Sequence, residues 1–317
     1  MTTIETTAGP VDADALGRTL VHEHLNTASE GLRFQWPHLV DHQGETDRAV
    51  AAVRAAQAHG VQTICDPACL DLARDVQLHL RVQELTGMRF VLATGIYGQH
   101  YTFLPHYFQT RAIDAMVDCF RHDLEVGIQG TDVRAQFLKC AADEPGFTED
   151  VEKVHRAAAQ ASLATGAPIM VHSNPNHRTG LRSVEILAEE GVAPHKIQVA
   201  HTGDTAEEGY VHDLLETGVF VGMDRYGLDA VFGPGQDVRN ATVKAIVDAG
   251  HGDRVMLGQD SCASIDWYPA EAVAQLAPKW SFTLIFDEVI PELLALGVPQ
   301  DALDAMTGAN VRAWLAG

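Results

Sequence analysis

The stretch Thr19-Leu20-Val21-His22-Glu23-His24-Leu25 sets two histidines at i and i+2 behind an apolar lead-in. In a β-strand such positions share one face, so both imidazoles leave on the same side and can hold one ion. On a helix they diverge. A polar strand end is the ordinary reading of an isolated H-x-H, unless further ligands end other strands, and this chain supplies them. Apolar runs carry Lys139 (in 135–140), His172 (168–172), His201 (196–201) and Asp260 (254–260) near their ends. One histidine in such a place is more often a hydrogen-bonded core residue. Four histidines, a lysine and an aspartate share one cavity if the strands close into a barrel. Imidazole and carboxylate suit divalent transition ions, Zn first and then Fe, Co or Mn, and little sulfur is on offer for a softer metal. Lys139 is the odd member, because an ammonium repels cations. It fits if desolvation and neighbouring cations depress its pKa, leaving a neutral amine that takes up carbon dioxide. The resulting carbamate is an anionic bidentate bridge, which implies two ions. A salt bridge to Asp260 is the structural alternative for Lys139.

These side chains need elements that gather strand ends. The chain repeats one unit: a helical segment, a glycine, a short apolar run and a polar loop. Residues 45–59 read as a helix that stops at Gly60 before the strand 61–66, and 74–86 as one that stops at Gly87 before 89–94. Residues 111–126 precede 135–140. Thr148 can cap a helix that Glu149 and Asp150 favour at its positive end; it runs to Thr165 and Gly166 before 168–172. Residues 182–190 stop at Gly191 before 196–201. Thr205 and Glu208 have capping-box spacing for a helix ending at Gly218, before 219–224. Residues 238–249 precede 254–260. With the opening stretch this makes eight strands alternating with helices and no linker between them. The expectation is an α/β chain forming a single (β/α)8 TIM barrel over 1–317, with the metal site at the C-terminal face of the strands.

Composition narrows the partners. With 46% hydrophobic residues in 317, the chain can bury a large core, and its net charge of −21 repels phosphate backbones, which argues against nucleic acid. Residues 1–7 lack a basic region and an apolar core, and no apolar run approaches the length of a membrane span, so neither export nor membrane insertion is signalled and a cytoplasmic location is expected. Five cysteines without a C-x-x-C pair argue against a disulfide framework. Cys65 and Cys69 read as small buried side chains rather than a metal pair.

From Gly17 to Trp314 the chain resembles the phosphotriesterase-like group of the amidohydrolase superfamily. The likeness is carried by Val21-His22-Glu23-His24, Ala93-Thr94-Gly95-Ile96-Tyr97, the stretch from Leu138 through Lys139-Cys140-Ala141-Ala142-Asp143-Glu144-Pro145 to Gly146, Val171-His172-Ser173-Asn174 and His201-Thr202-Gly203-Asp204-Thr205. Asp224-Arg225-Tyr226-Gly227-Leu228-Asp229 together with Ile265-Asp266-Trp267 is similar to the lactonase branch rather than the dedicated organophosphate hydrolases. By position the resemblance implies one metal on His22, His24 and Asp260 and another on His172 and His201, with carboxylated Lys139 bridging. It also implies that Tyr97, Arg225, Cys262 and Trp267 line the substrate pocket, and that the protein is a homodimer. Two positions depart from the family pattern. Gln259 stands where a histidine is common, and Ser261 where an aromatic is frequent. The segment 267–276 also looks slightly shorter than in close relatives. These changes touch the loop that shapes the pocket and remove no ligand.

The expected activity is the opening of lactone rings, N-acyl homoserine lactones first (quorum quenching), with promiscuous phosphotriesterase activity. A dedicated phosphotriesterase or a general carboxylesterase using the same metals is the alternative, because a tetrahedral phosphoryl centre resembles the transition state of ester attack. Two cations sharing a water bring its pKa from about 15.7 towards 7. Asp260 is expected to carry the proton to the leaving alkoxide, Arg225 to hold that oxygen and Tyr97 to orient the reacting groups. Arg225 could also be spent on an ion pair with Asp204, Asp224 or Asp229. Cys262 reads as a pocket wall, and Trp267 as rim core or as a wall for an acyl chain. A barrel kept only as a binding module is disfavoured, since buried His and Lys unpaired at one mouth would be costly.

Overall fold

The computed structural model describes residues 2–98, 104–144 and 146–317. Met1 of the N-terminal reading and Pro145 of the motif that ends at Gly146 lie outside the described residues. Eight parallel strands follow one another in chain order across a single sheet: β1 (Arg18–Leu20), β2 (Val61–Asp66), β3 (Arg89–Gly95), β4 (Phe137–Ala142), β5 (Ile169–Ser173), β6 (Ile197–Ala200), β7 (Phe220–Met223) and β8 (Val255–Leu257). The sheet closes at its C-terminal mouth, where Ser261–Cys262 pairs in parallel with Glu23–His24. Between successive strands run α1 (His42–Ala58), α2 (Val76–Thr86), α3 (Asp114–Glu125), α4 (Glu149–Thr165), α5 (Thr179–Glu190), α6 (Glu208–Glu216) and α7 (Gln236–Asp248). The fold is a (β/α)8 barrel.

Local chemistry sets the helix ends. The Asp75 carboxylate accepts from Leu78 N–H at the start of α2, and the Thr148 hydroxyl accepts from Val151 N–H at the start of α4. Gly87 and Gly166 end those helices in the left-handed region, which glycine enters without a Cβ penalty. Elsewhere the expected bounds move. Helix α5 begins at Thr179, three residues before Arg182. Helix α6 is preceded by Glu207, and the Thr205 hydroxyl accepts from Glu207 N–H in a local turn, so the Thr205–Glu208 capping box does not form. The first strand stops at Leu20, and β4 runs on to Ala142, which leaves Lys139 third of six residues rather than at the end.

Period-2 alternation sorts the strands between two cores. Leu138, Cys140, Ile169, Val171, Val199, Val221 and Leu257 face the helices. Phe137, Met170, Ala200, Phe220 and Met256 fill the barrel, which Trp314 of the last helix plugs from below. With Leu138 and Cys140 turned outward, Lys139 points into the barrel, as His172 does after Val171. Gly95 lets β3 lie against this point: a Cβ there would stand 1.9 Å from the Lys139 carbonyl oxygen.

No helix among the described residues is long and apolar enough to cross a membrane. All five cysteines are free, Cys65 and Cys69 among the buried ones.

Candidate metal centre

The chain leaves β1 at Leu20, bends through Val21 and His22, and resumes extended pairing at Glu23–His24. His22 therefore lies in a bend rather than in the strand, yet the two rings still meet, edge to face, with centroids 5.4 Å apart. Asp260 sits past the end of β8, in the left-handed region at φ 50°, and donates its N–H to the His22 carbonyl at 3.0 Å. Its Oδ1 stands 3.2 Å from Nε2 of both His22 and His24. His201 also has a positive φ of 66°. Its neighbour Ala200 faces the interior, so simple alternation would send His201 outward; the left-handed backbone returns its ring to the cavity. It lies 5.1 Å from the His22 ring and 4.5 Å from that of His172.

Every one of these four rings is held from behind by a carboxylate. Asp224 accepts from Nδ1 of His22 at 2.9 Å and from Nδ1 of His201 at 3.0 Å. Asp66 accepts from His24 Nδ1 at 3.0 Å, and Asp143 from His172 Nε2 at 3.0 Å. Asp66 and Asp143 are held well below the usual carboxylate range: burial raises both, and the histidines outweigh it. This leaves Nε2 of His22, His24 and His201 and Nδ1 of His172 for the cavity. Carboxylate–imidazole pairs of this kind fix the tautomer and aim of metal ligands. His22, Asp224 and His201 also form a tight group of their own, but Asp224 is engaged there with the Nδ1 atoms, on the side away from the shared cavity.

Lys139 lies among these groups, buried, and its nitrogen makes no hydrogen bond or salt bridge with the described residues. The salt bridge to Asp260 considered as its structural alternative does not form. Burial pulls its pKa down and, with Lys139 as the next cause, lowers that of His22. Burial also takes His172 down to about 4 and His201 well below the usual histidine range. Neutral imidazoles and a neutral amine are the forms a cation needs. His24 differs: burial lowers it, but Asp66 and Asp260 together push it up to about 9, so an incoming cation must displace a proton there. An orphaned buried amine inside a ring of imidazoles, each oriented by a carboxylate, fits a pair of divalent ions.

Arg225, directly after Asp224, is buried and donates from Nε to Asp260 Oδ2 and from Nη1 to Asp204 Oδ2, each at 2.9 Å. Of the three ion-pair partners open to it from sequence, the structure selects Asp204 and adds Asp260. Arg239 Nη1 donates to the other Asp204 oxygen at 2.8 Å. Asp260 is thereby held well below its ordinary pKa: burial raises it, and His22, His24 and Arg225 outweigh that. Tyr97 packs edge-on against His172 at 5.0 Å and lies 6.3 Å from the half-exposed Trp267 ring in a stacked arrangement. Cys262, in the closing ladder, has its sulfur 3.2 Å from the Thr27 hydroxyl, and burial pushes its thiol up, against a nucleophilic role. Beside Asp143 and Arg225 opens a cleft of about 440 Å³, lined by Asn174 and Thr205 as well as by Val231, Phe232 and Pro234. The Arg225 guanidinium lies 4.1 Å from the Phe232 ring centre.

Gln259 and Ser261 serve the backbone here. The Gln259 amide donates to the Ser281 carbonyl, its own carbonyl accepts from Trp280 Nε1, and Ser261 N–H is bound by Glu23. Sequence reasoning gave no role to Asp66, Asp143 or Glu23 and weighed Asp224 only as an ion-pair partner of Arg225. The available signal was positional: Asp66, Asp143 and Asp224 end or follow apolar strands, as the histidines do.

Fold and site together define a metal-dependent hydrolase barrel, with its chemistry at the C-terminal ends of the strands. The phosphotriesterase family model matches residues 2–315. An aryldialkylphosphatase of Saccharolobus solfataricus is 45% identical over 302 residues, covering 95% of each chain. A phosphotriesterase homology protein of Mycobacterium tuberculosis is 38% identical over 323 residues, covering 98% of this chain and 97% of its own. The solved structure of the phosphotriesterase from M. tuberculosis superposes with a TM-score of 0.94 at 36% identity, covering 99% of this chain and 98% of that one. The chain belongs to the phosphotriesterase family, a family of binuclear metal hydrolases acting on small esters or phosphotriesters.

Proposed function

We propose that this protein is a lactonase that opens N-acyl homoserine lactones and hydrolyses phosphotriesters as a side activity. The observation that carries the reading is the wall beside the centre. Val231 and Phe232 stay 48% and 42% exposed in the lining of a cleft that also offers the amides of Asn174 and Asn176 and the hydroxyl of Thr205. An acyl amide with an apolar tail matches both kinds of lining, and each buried CH₂ contributes roughly 0.8 kcal/mol. A small triester uses neither.

In this reading His22, His24 and Asp260 hold one divalent ion and His172 and His201 the other. Lys139, once its neutral nitrogen had bonded to the carbon of carbon dioxide and lost a proton, would offer a carbamate to both. Zinc is the first candidate, with iron, cobalt or manganese able to use the same donors. Such a pair supplies a nucleophile at neutral pH and Lewis acidity at the ester oxygen. Asp260 receives the proton released on attack and returns it to the leaving alkoxide, which stays tethered in a lactone, so this transfer commits the ring to opening. A carboxylate held low by His22, His24 and Arg225 gives that proton up readily. Arg225 holds the leaving oxygen, and Tyr97, packed against His172, orients the hydroxide or the carbonyl. The same reading takes the protein as a cytoplasmic homodimer; Phe34 and Trp36, 83% and 52% exposed, offer apolar surface for a second copy to cover.

The test is a set of kcat/KM values for homoserine lactones of increasing acyl length beside a paraoxon-type triester. The expected pattern is a rise with length and an advantage over the triester of at least about tenfold, equivalent to about 1.4 kcal/mol. Equal or better triester turnover would favour the second reading, organophosphate hydrolysis, which the name of the 45%-identical relative supports. A flat response to length would keep the lactonase and remove the acylated signal as its substrate.

A further inference from the structure

Glu23 stands between the two histidines of the opening motif and takes no part in the chemistry above. It is fully buried, and both of its oxygens are used. Oε1 accepts from Gln259 N–H at 2.9 Å and Oε2 from Ser261 N–H at 2.7 Å. Those peptides flank Asp260, whose own N–H goes to the His22 carbonyl. Three successive N–H groups thus turn toward residues 22 and 23. An ordinary strand sends alternate N–H groups to opposite sides. The exception is made by the left-handed backbone of Asp260, an uncommon conformation for a residue with a side chain that persists where its surroundings enforce it. Successive N–H groups around a left-handed residue form a concave nest for an anion, and both oxygens of the Glu23 carboxyl are seated in it; burial pushes its pKa well up, and the two peptide N–H bonds oppose that. Charge-assisted bonds from peptide N–H groups offset part of its desolvation.

We propose that Glu23 is a positioning residue. Its carboxylate, seated in the peptide nest around Asp260, holds that backbone left-handed and so aims the Asp260 side chain between His22, His24 and Arg225. This rests on the role given to Asp260 under the proposed function. A glutamine cannot replace Glu23, since its one oxygen satisfies one N–H and its amino group confronts the other.

The test compares Glu23→Gln and Glu23→Asp with Thr63→Val in the metal-loaded protein. Thr63 donates to the Leu16 carbonyl at 2.7 Å on β2, away from the mouth, and its loss reports plain destabilisation. Glu23→Gln is expected to lower kcat by about 100-fold, the scale of an ångström-sized misplacement, with KM within about threefold. Glu23→Asp should fall between it and the wild type. Thr63→Val should keep its kcat at a similar loss of Tm. Crystal structures give a readout free of activity, in which Asp260 should leave the left-handed region in Glu23→Gln. A kcat within threefold of the wild type, losses that track Tm alike in all three variants, or an unmoved Asp260 backbone would overturn the proposal. If the wild type opens no lactone, the triester serves as substrate and the backbone readout still decides.

Discussion

Asp66 presents one oxygen to His24 Nδ1 at 3.0 Å, while its other oxygen accepts from His79 Nε2 at 2.8 Å. His79 is anchored in turn through Nδ1 to the Asp75 carbonyl at 2.8 Å. The His24 ring is thus tied through two side chains to the first turn of α2, and its Nε2 is left for the cavity. An amide in place of the carboxylate lowers ring basicity and loosens this aim. Asp66→Asn is expected to weaken metal affinity by about 10- to 100-fold, read by competition with a chromophoric chelator. Wild-type affinity in the folded variant would mean that packing alone orients His24.

Lys139 yields the second prediction. Its nitrogen is buried without a partner among the described residues, a costly state for an amine that a carbamate between two cations relieves. Protein supplied with metal and carbon dioxide should carry close to two ions per chain, and Lys139→Met fewer than one. Elemental analysis with crystallographic density at Lys139 checks both. An unmodified lysine in an ordered site that holds both ions would remove the bridge.

The fold was legible because its signals are periodic. Leu138, Cys140 and Val171 turn to the helices, so their neighbours Lys139 and His172 face inward, and that rule needs only the sequence. It stops at His201 and Asp260, whose left-handed backbones break the alternation. No local pattern announces a positive φ in a histidine or an aspartate; the pull comes from Asp224, 23 residues from His201, and from Glu23, 236 residues from Gln259. Asp66, Asp143 and Asp224 escaped for the same reason. Each is an ordinary polar strand end until the barrel sets it behind a ring.

Asp260→Asn tests the proton carrier. The amide keeps the shape and cannot take up a proton, so kcat should fall on the order of 10²–10⁴-fold while the chain stays folded. Both metal content and the thermal transition are measured alongside. Most of the wild-type rate in a metal-loaded variant would assign proton transfer to another group.

His155 gives a pH prediction outside the metal centre. It is fully buried on α4, donating to the Val151 carbonyl at 2.8 Å and placed 3.0 Å from the Ser183 hydroxyl. Burial pushes its pKa down from 6.5 to about 4. Between those values the unfolded chain binds the proton and the folded chain does not, so stability falls as pH drops below 6.5 and levels off near 4. The loss assigned to this group is roughly 3 kcal/mol, from about 1.4 kcal/mol per pH unit. His155→Gln cannot titrate, so the stability advantage of the wild type over it should be largest near pH 7 and shrink by about that amount. Urea unfolding across the range measures it, and parallel curves would show that His155 already titrates normally in the fold.

Phe232 separates the two uses of the wall beside Arg225. Its ring is 42% exposed and covers the Arg225 guanidinium at 4.1 Å, so it can act as a surface for an acyl chain or as a cover that keeps Arg225 on Asp260. Complete burial of a phenylalanine side chain contributes about 1.5–3 kcal/mol. Somewhat under half of that surface is still open to a ligand, so a long acyl chain gains about 1 kcal/mol from it, or about fivefold in kcat/KM. A butyryl chain too short to reach the ring gains little. Phe232→Ala is therefore expected to lower kcat/KM for a decanoyl homoserine lactone by about fivefold and for the butyryl lactone by less than twofold, mostly through KM. Equal losses for both, carried by kcat, would instead mean that Phe232 acts through Arg225 and that the acyl chain lies elsewhere, with Trp267 the next wall to test.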